Sequence, residues 1–415
     1  MRLGWQLNPV SAVLSLCALA GAVWLPFLRV APNRMVSGEP VYLWALLQGP
    51  NTVLGVSVLV LLAMLGLSCW CKPHKILLWA QTGIATALMA MLLATAAAYA
   101  SYIASTQTPY ARTSLGGAWW VLMVMLWLAV QDALLRLQVG LRVRTGLLAA
   151  TMLPVVWMLW SGWCNDLSIM KEYANRTEMF GTAVVQHGLI VALAMVPTVL
   201  IGIPLGWWTH RARATQQSIF PVLNVIQTIP SIALFGLLMA PMAWLAAAFP
   251  ALAKAGISGV GVAPGVIALM LYALLPVVRG TLAGLEQVPS GVVNAARGMG
   301  MSPMGVFTQV QLPLALPVLL SGVRTATVSA VGLASVTALI GAGGLGAIMF
   351  EGLFSSAQDL VLLGVLPIVA LSVLVDAAFK ILVKLAQPLG DTSPIAAPIA
   401  APIAAPTASH TAAAG

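Results

Sequence analysis

The feature that most constrains this chain is a series of apolar stretches, each close to 20 residues long and nearly free of charge. A helix needs about 20 mostly apolar residues to cross a bilayer. Ten stretches approach that length, at residues 9–28, 52–70, 76–99, 116–131, 146–163, 183–206, 223–247, 258–278, 317–340 and 360–383. They predict an all-α, polytopic membrane protein with about ten transmembrane helices.

The composition agrees with lipid as the main solvent. Only 7% of the 415 residues are charged, and 60% are hydrophobic. Soluble domains carry about 25% charged residues. So few charges cannot build a solvated surface, and we expect membrane lipid around most of the chain.

The positions of the basic residues predict an orientation, because cytoplasmic loops carry an excess of Lys and Arg. With the N-terminus inside and ten crossings, twelve of the nineteen basic residues are cytoplasmic and six are external. This predicts cytoplasmic N- and C-termini. It also explains the net charge of +9 without a nucleic-acid partner.

Groups for covalent chemistry are sparse. The four cysteines and four histidines are scattered, in no spacing typical of a metal site. A membrane enzyme needs Cys, His or acidic residues clustered at one membrane face. We therefore expect no catalytic residue, no metal site and no cofactor.

A polar loop at 164–180 divides the chain into two membrane regions. We expect an N-terminal region of about five helices over 1–165 and a second region over 178–385. The Ala/Pro-rich tail, 391–415, has a proline every few residues at its start, which forbids a helix. We expect this tail to be disordered.

One segment, Glu286 to Pro313, is named the docking segment. Glycines and prolines at 298, 300, 303 and 305 interrupt it, while 290–297 can form a short helix with Ser290 as the N-cap. Its motif is Asn294-Ala295-Ala296, three residues, Gly300, nine residues and Val310-Gln311-Leu312-Pro313.

This motif resembles the cytoplasmic loop of ATP-binding-cassette (ABC) importer permeases, which reads Glu-Ala-Ala, three residues, Gly, nine residues, Ile-x-Leu-Pro. Asn294 replaces Glu, and Val310 replaces Ile. The resemblance implies a type I permease core formed by the five C-terminal helices, with 178–385 as the permease domain. It also implies a bacterial inner membrane, cytoplasmic ATP-binding subunits, a periplasmic substrate-binding protein and a second permease chain.

Two further stretches, Asn224 to Ser231 and Ile340 to Gly346, are similar to permeases for glycine betaine, choline and related osmoprotectants. The resemblance implies import of a quaternary-ammonium solute by alternating access. An ion-coupled secondary transporter is the alternative. It would need a relay of intramembrane acids, and Asp376 is the one acid inside a predicted span.

The sequence contains no GxxxxGK[S/T] phosphate-binding loop, so ATP hydrolysis is expected in a partner chain. Residues 341–346 satisfy GxGxxG but follow a predicted membrane span instead of a strand. A tight glycine turn explains them better than a dinucleotide site.

Gln227, Thr228, Pro230 and Ser231 form a polar patch with a helix break. A proline in a helix frees a backbone carbonyl, which inside a membrane needs a partner or a water-lined cavity. The patch therefore fits either a transport pathway or hydrogen bonding between helices.

Arg324 and Asp376 lie within the last two predicted spans. Charges at such depth usually pair or line a pathway. We predict an ion pair between them that serves as a structural tie.

Overall fold

The computed structural model describes residues 8–33, 36, 38–48, 52–68, 74–107, 110–254 and 256–387. The helices in these ranges are α1 Pro9–Trp24, α2 Thr52–Ser68, α3 Lys75–Thr106, α4 Gly117–Arg136, α5 Leu141–Trp160, α6 Ser168–Ala174, α7 Thr177–Arg211, α8 Arg213–Thr228, α9 Ser231–Ala248, α10 Pro250–Lys254, α11 Val262–Glu286, α12 Ser290–Gly298, α13 Pro303–Val306, α14 Leu312–Leu333, α15 Leu345–Phe354 and α16 Gln358–Ala386. The predicted disordered tail lies outside the described residues.

Within the described ranges, eight helical stretches are long and apolar enough to cross a membrane. They are α3, α4, α5 from Val143, α7, α9, α11, the continuous stretch Pro303–Leu333 and α16. Two shorter apolar helices, α1 and α2, lie where the first two spans were predicted. The polytopic helical class is confirmed, and the number ten remains a prediction.

Several predicted spans have different limits in the structure, and three of them show why. The first ends at Trp24, because Pro26 disfavours helix in the residue before it. The seventh is broken into α8 and α9 at Ile229 and Pro230. The ninth begins earlier, at Leu312, because a proline in the first turn of a helix is tolerated.

A small antiparallel sheet, which was not predicted, accompanies the helices. Its strands, in the order β2-β1-β3, are β1 Leu28–Ala31, β2 Glu39–Val41 and β3 Arg112–Leu115. In this register Arg29 pairs with Pro40 on one side and Ser114 on the other. Strands of three or four residues are too short to give a periodic signal.

The sheet lies at one end of the helices, which we name the sheet end. Ser114 in β3 reaches Asp359 in the first turn of α16. The docking segment follows the last residue of α11 at the opposite end, named the docking end. The predicted orientation would make the sheet end external and the docking end cytoplasmic.

Helices α1–α5 form an N-terminal bundle with a leucine- and alanine-rich core. Leu88 and Leu92 of α3 pack with Leu122 and Leu126 of α4 in one buried cluster. α1 lies close to α4 because Gly21 has no side chain: a Cβ there would lie 2.7 Å from Val121 Cγ1.

Helices α7–α16 form a second, C-terminal bundle in which α11 packs between α7 and α14. We name it the permease core after the permease domain predicted above. A Cβ on Gly202 of α7 would lie 2.8 Å from Val277 of α11. A Cβ on Gly280 of α11 would lie 2.6 Å from the Cα of Gly322 in α14. Small residues let membrane helices approach at such distances.

The glycine turn before α15 is confirmed. Gly341, Gly343 and Gly344 have φ angles of 80°, 78° and 76°. Side chains rarely adopt these values, which explains the run of glycines. The side chain of Gln186 donates to the carbonyl of Ala342 and accepts from the N–H of Gly344, so the turn is fixed to α7.

Candidate transport pathway and docking segment

A cavity of about 240 Å³ lies between α11 and α14, with Gln227 of α8 in its lining. Its polar side chains are those of Gln227, Tyr272 and Ser329, and the rest of the lining is apolar. Pockets for drug-sized molecules occupy roughly 300–1,000 Å³. This cavity has the size for a smaller solute.

Two proline breaks are hydrogen-bonded to each other beside the cavity. Pro276 has no N–H, which leaves the carbonyl of Tyr272 without its helical donor. The Nε2 of Gln227 donates to that carbonyl at 2.9 Å. In return, the hydroxyl of Tyr272 donates to the carbonyl of Ile229, at the break before Pro230. The free carbonyl at each break therefore accepts a hydrogen bond from a side chain of the other helix.

The other predicted pathway residues lie at the same break but do not line the cavity. Thr228 is exposed, and its hydroxyl donates to Val225 of its own helix at 2.7 Å. Pro230 is the N-cap residue of α9, and Ser231 begins that helix half-buried. Only Gln227 among the four combines a cavity position with a bond between helices.

The predicted charge pair is a cluster of three side chains. Nε of Arg324 lies 2.8 Å from Oδ1 of Asp376, and Nζ of Lys380 lies 2.6 Å from Oδ2. Lys380 was absent from the predicted pair, although its spacing from Asp376 on one helix was a usable signal.

Within the docking segment, the predicted short helix is confirmed as α12, Ser290–Gly298. The N-cap residue is Pro289, so the prediction for Ser290 was wrong. Pro289 fits the first residue of a helix start because it needs no N–H there. Asn294 and Ala295 are exposed, whereas Ala296 is buried in a small apolar cluster with Leu285.

The second half of the motif connects α12 to the membrane. Gly300 has a φ of 83°, which lets the chain turn after α12. Val310 lies in a π-helical turn, Phe307–Gln311. Leu312 and Pro313 then begin α14. The motif therefore runs directly into α14, whose later turns, from Ala326 to Leu333, line the cavity.

Sequence reasoning missed Arg279. The predicted eighth span ended at residue 278, because spans were defined as charge-free intervals and the next residue is charged. In the structure α11 continues to Glu286, so Arg279 lies within the helix. Its Nη2 donates to Oδ1 of Asn224 in α8 at 2.8 Å.

Charged residues join the N-terminal bundle to the permease core at the sheet end. Nη1 of Arg176 lies 2.6 Å from Glu351 of α15, and Nη1 of Arg112 lies 3.5 Å from the buried Glu172. The hydroxyl of Ser114 donates to Asp359 at 2.5 Å. We name these contacts the outer junction.

Burial also shifts the pKa values of two groups near the outer junction. It lowers the pKa of Lys171, an effect that Arg112 reinforces and that Asp166 opposes. Burial raises the pKa of the Cys164 thiol to about 11, so this thiol is protonated at neutral pH.

Comparison with known proteins assigns both parts of the chain. Residues 4–170 match the N-terminal domain of the ABC transporter permease YehY. Residues 198–387 match the family described as the binding-protein-dependent transport system inner membrane component. The osmoprotectant import permease OsmW of Salmonella typhimurium is 38% identical over 191 residues, which cover 46% of this chain and 84% of that protein. The chain belongs to the binding-protein-dependent ABC permease family.

A second curated relative agrees with this permease assignment. The choline transport system permease OpuBB of Bacillus subtilis is 32% identical, covering 49% of this permease and 87% of that protein. An inward-facing MetNI methionine ABC transporter structure covers 50% of this permease and 96% of its own chain, with 21% identity and a TM-score of 0.44. The predicted resemblance is confirmed: the protein is a multi-pass membrane permease of an inner-membrane transporter.

Proposed function

We propose that this permease imports glycine betaine or a related quaternary-ammonium osmoprotectant by alternating access. Its relatives include an osmoprotectant import permease and a choline transport permease. The cavity supports the same substrate class. Its mostly apolar lining suits methyl groups, and the ring of Tyr272 offers a face to a cation.

The observation that carries the proposal is how the docking segment connects to the cavity. α12 begins four residues after Glu286, the last residue of α11, and the motif ends in the first turn of α14. These are the two helices that wall the cavity. A displacement of α12 would therefore act on both walls.

The ATP-binding subunits would dock on the exposed side of α12, at Asn294 and Ala295. An amide at position 294 cannot form the salt bridge that a glutamate could, so small side chains and shape would carry more of this contact. With no phosphate-binding loop in this chain, ATP hydrolysis belongs to those subunits. A periplasmic binding protein would deliver the solute at the sheet end, and a second permease chain would complete the pathway.

The same proposal assigns the remaining residues. Residues 178–385 form the permease domain, with both chain termini in the cytoplasm. Gln227 lines the pathway, while Thr228, Pro230 and Ser231 shape the helix break beside it. Arg324 and Asp376 tie α14 to α16. A secondary transporter would need Asp376 free to exchange protons or ions, whereas two cations hold it.

The test is ATP-driven uptake of labelled glycine betaine into proteoliposomes that contain the permease, its ATPase and its binding protein. Ala295→Asp places a charge on the exposed side of α12 and should abolish both uptake and co-purification of the ATPase. Ala253→Asp, on an exposed residue of α10, is the matched control and should retain the ATPase.

Two results would contradict the proposal. Uptake driven by an ion gradient without ATP would favour the secondary transporter. ATP-driven uptake of a different solute, without uptake of glycine betaine, would agree with the proposed transporter class but contradict the proposed substrate.

A further inference from the structure

Arg279 occupies a position where an unpaired charge is costly. It lies seven residues before the end of α11, or about 10 Å along the helix. Its side chain is exposed, contacts the neutral amide of Asn224 and lies with its guanidinium carbon 5.9 Å from the centre of the Phe220 ring. Among the described residues, the ion pairs found inside the membrane helices involve Arg136, Arg324 and Lys380 but not Arg279.

Arg279 continues the cavity-lining face of α11. Tyr272 and Pro276 line the cavity, and Arg279 follows them at the spacing i, i+4, i+7, which places all three on one side of a helix. The backbone of Arg279 is therefore about 10 Å nearer the docking end than that of Tyr272.

The polar continuation of the cavity runs along α8. α11 and α14 come into backbone contact where Gly280 meets Gly322, directly beside Arg279. On the α8 side, Gln227 and Asn224 follow each other at helical spacing, and Asn224 reaches Arg279. Polar side chains thus lead from the cavity to the guanidinium.

The guanidinium is well suited to a carboxylate. Charged side chains in membrane helices usually face the bundle interior or a water-filled cavity and meet an opposite charge. Nη2 bonds to Asn224, and the rest of the guanidinium fork can receive two carboxylate oxygens in the bidentate geometry that arginine favours.

We propose that Arg279 receives the substrate's carboxylate as the solute leaves the cavity toward the docking end. The permease then favours zwitterionic betaines over choline, whose net positive charge Arg279 repels. This inference rests on the proposed function and narrows its substrate class to carboxylate-bearing quaternary amines.

The experiment compares ATP-driven uptake of glycine betaine and choline by the complete transporter in proteoliposomes. The same binding protein is present throughout, so a changed ratio between variants reports on the permease. Arg279→Gln should lower the ratio of betaine to choline uptake at least tenfold, while Arg279→Lys should retain part of the preference.

Two variants control the experiment. Arg144→Gln removes a cation whose Nη2 also bonds an amide, Oε1 of Gln131, at 2.8 Å, and it should leave the ratio unchanged. Asn224→Asp keeps Arg279 but gives it a carboxylate within the chain, and it should lower betaine uptake more than choline uptake.

The outcomes are distinct. An equal fall in both solutes would show that Arg279 acts in coupling or folding, which overturns the proposal. No change in the uptake of either solute would show that the Arg279 side chain reaches the membrane surface without meeting the solute. This result also overturns the proposal. Absence of ATP-driven betaine uptake in the unaltered permease would defeat the proposed function itself.

Discussion

The N-terminal bundle and the permease core are both built from membrane helices, yet different side chains hold them together. The bundle packs leucine and alanine in one large buried cluster between α3 and α4. The core packs small and apolar side chains too, and it adds a backbone contact between α11 and α14 where Gly280 meets Gly322. It also carries Gln227, Tyr272 and Arg279 on helices that border or approach a cavity. The difference indicates that polar transport chemistry is confined to the core.

The two regions meet through charges at the sheet end. Half of the chain's ten acidic residues lie in or near the outer junction: Asp166, Glu172, Glu178, Glu351 and Asp359. Ser114 therefore fixes the N-terminal bundle to α16, and the ion pairs of Arg112, Glu172, Arg176 and Glu351 lead on from β3 to α15. Both helices follow the glycine turn. Substitutions of similar chemistry in the two regions and at the outer junction test whether different interactions stabilise them.

The largest effect is expected from Glu172→Ala at the outer junction. Glu172 is buried beside Arg112 and Arg176, and removing one member of a buried pair costs about 3–5 kcal/mol. The thermal unfolding midpoint of the purified permease should fall clearly. Glu178→Ala, at an exposed acid nearby, should change the midpoint little. Equal midpoints for both variants would mean that the outer junction does not hold the two regions together.

Asp376→Asn should be the next most damaging change, because it leaves Arg324 and Lys380 without their carboxylate. Hydrogen bonds to charged groups contribute about 1.5–3 kcal/mol each. The check is unfolding stability of the single variant and of the exchange Arg324→Asp with Asp376→Arg. Failure of the exchange to recover any stability would count against the structural tie.

Gly280→Val tests the close packing of the permease core. Its Cβ would lie 2.6 Å from Gly322, and overpacking of this kind costs about 1–3 kcal/mol. Uptake should be lost along with stability. Gly332→Val is the control, because a Cβ on Gly332 meets nothing within 4 Å. Similar losses from both variants would mean that valine itself, and not the helix crossing, is responsible.

Asp132→Asn should have the smallest effect. Asp132 pairs with Arg136 one turn away on α4, and helix pairs of this spacing contribute about 0.3–0.5 kcal/mol. The unfolding midpoint and the uptake rate should both stay close to those of the unaltered protein. A loss as large as that of Asp376→Asn would erase the contrast between charges in the bundle and in the core.

Sequence predicted the features that depend on local composition. Apolar runs located the long helices, and glycine spacing located the turn at 341–346. The motif around Asn294 located α12. The sequence did not predict the sheet, because β1 and β3 have only four residues each.

Apart from the Arg324–Asp376 ion pair, features that depend on contacts distant in sequence were also missed. The break at Pro230 was visible, but its partner Tyr272 lies 42 residues further along the chain. Arg279 was misplaced because charge was used to mark where a span ends. A span tolerates a charge when neighbouring helices supply polar surroundings, as Asn224 does here.

The reciprocal bonds between Gln227 and Tyr272 have a consequence for motion. If α8 alone changed its bend, the carbonyl of Tyr272 would lose its donor and would have to take another from the cavity. If α11 alone moved, the carbonyl of Ile229 would lose its donor in the same way. The two kinks are therefore coupled, and we expect α8 and α11 to bend together when the cavity changes shape.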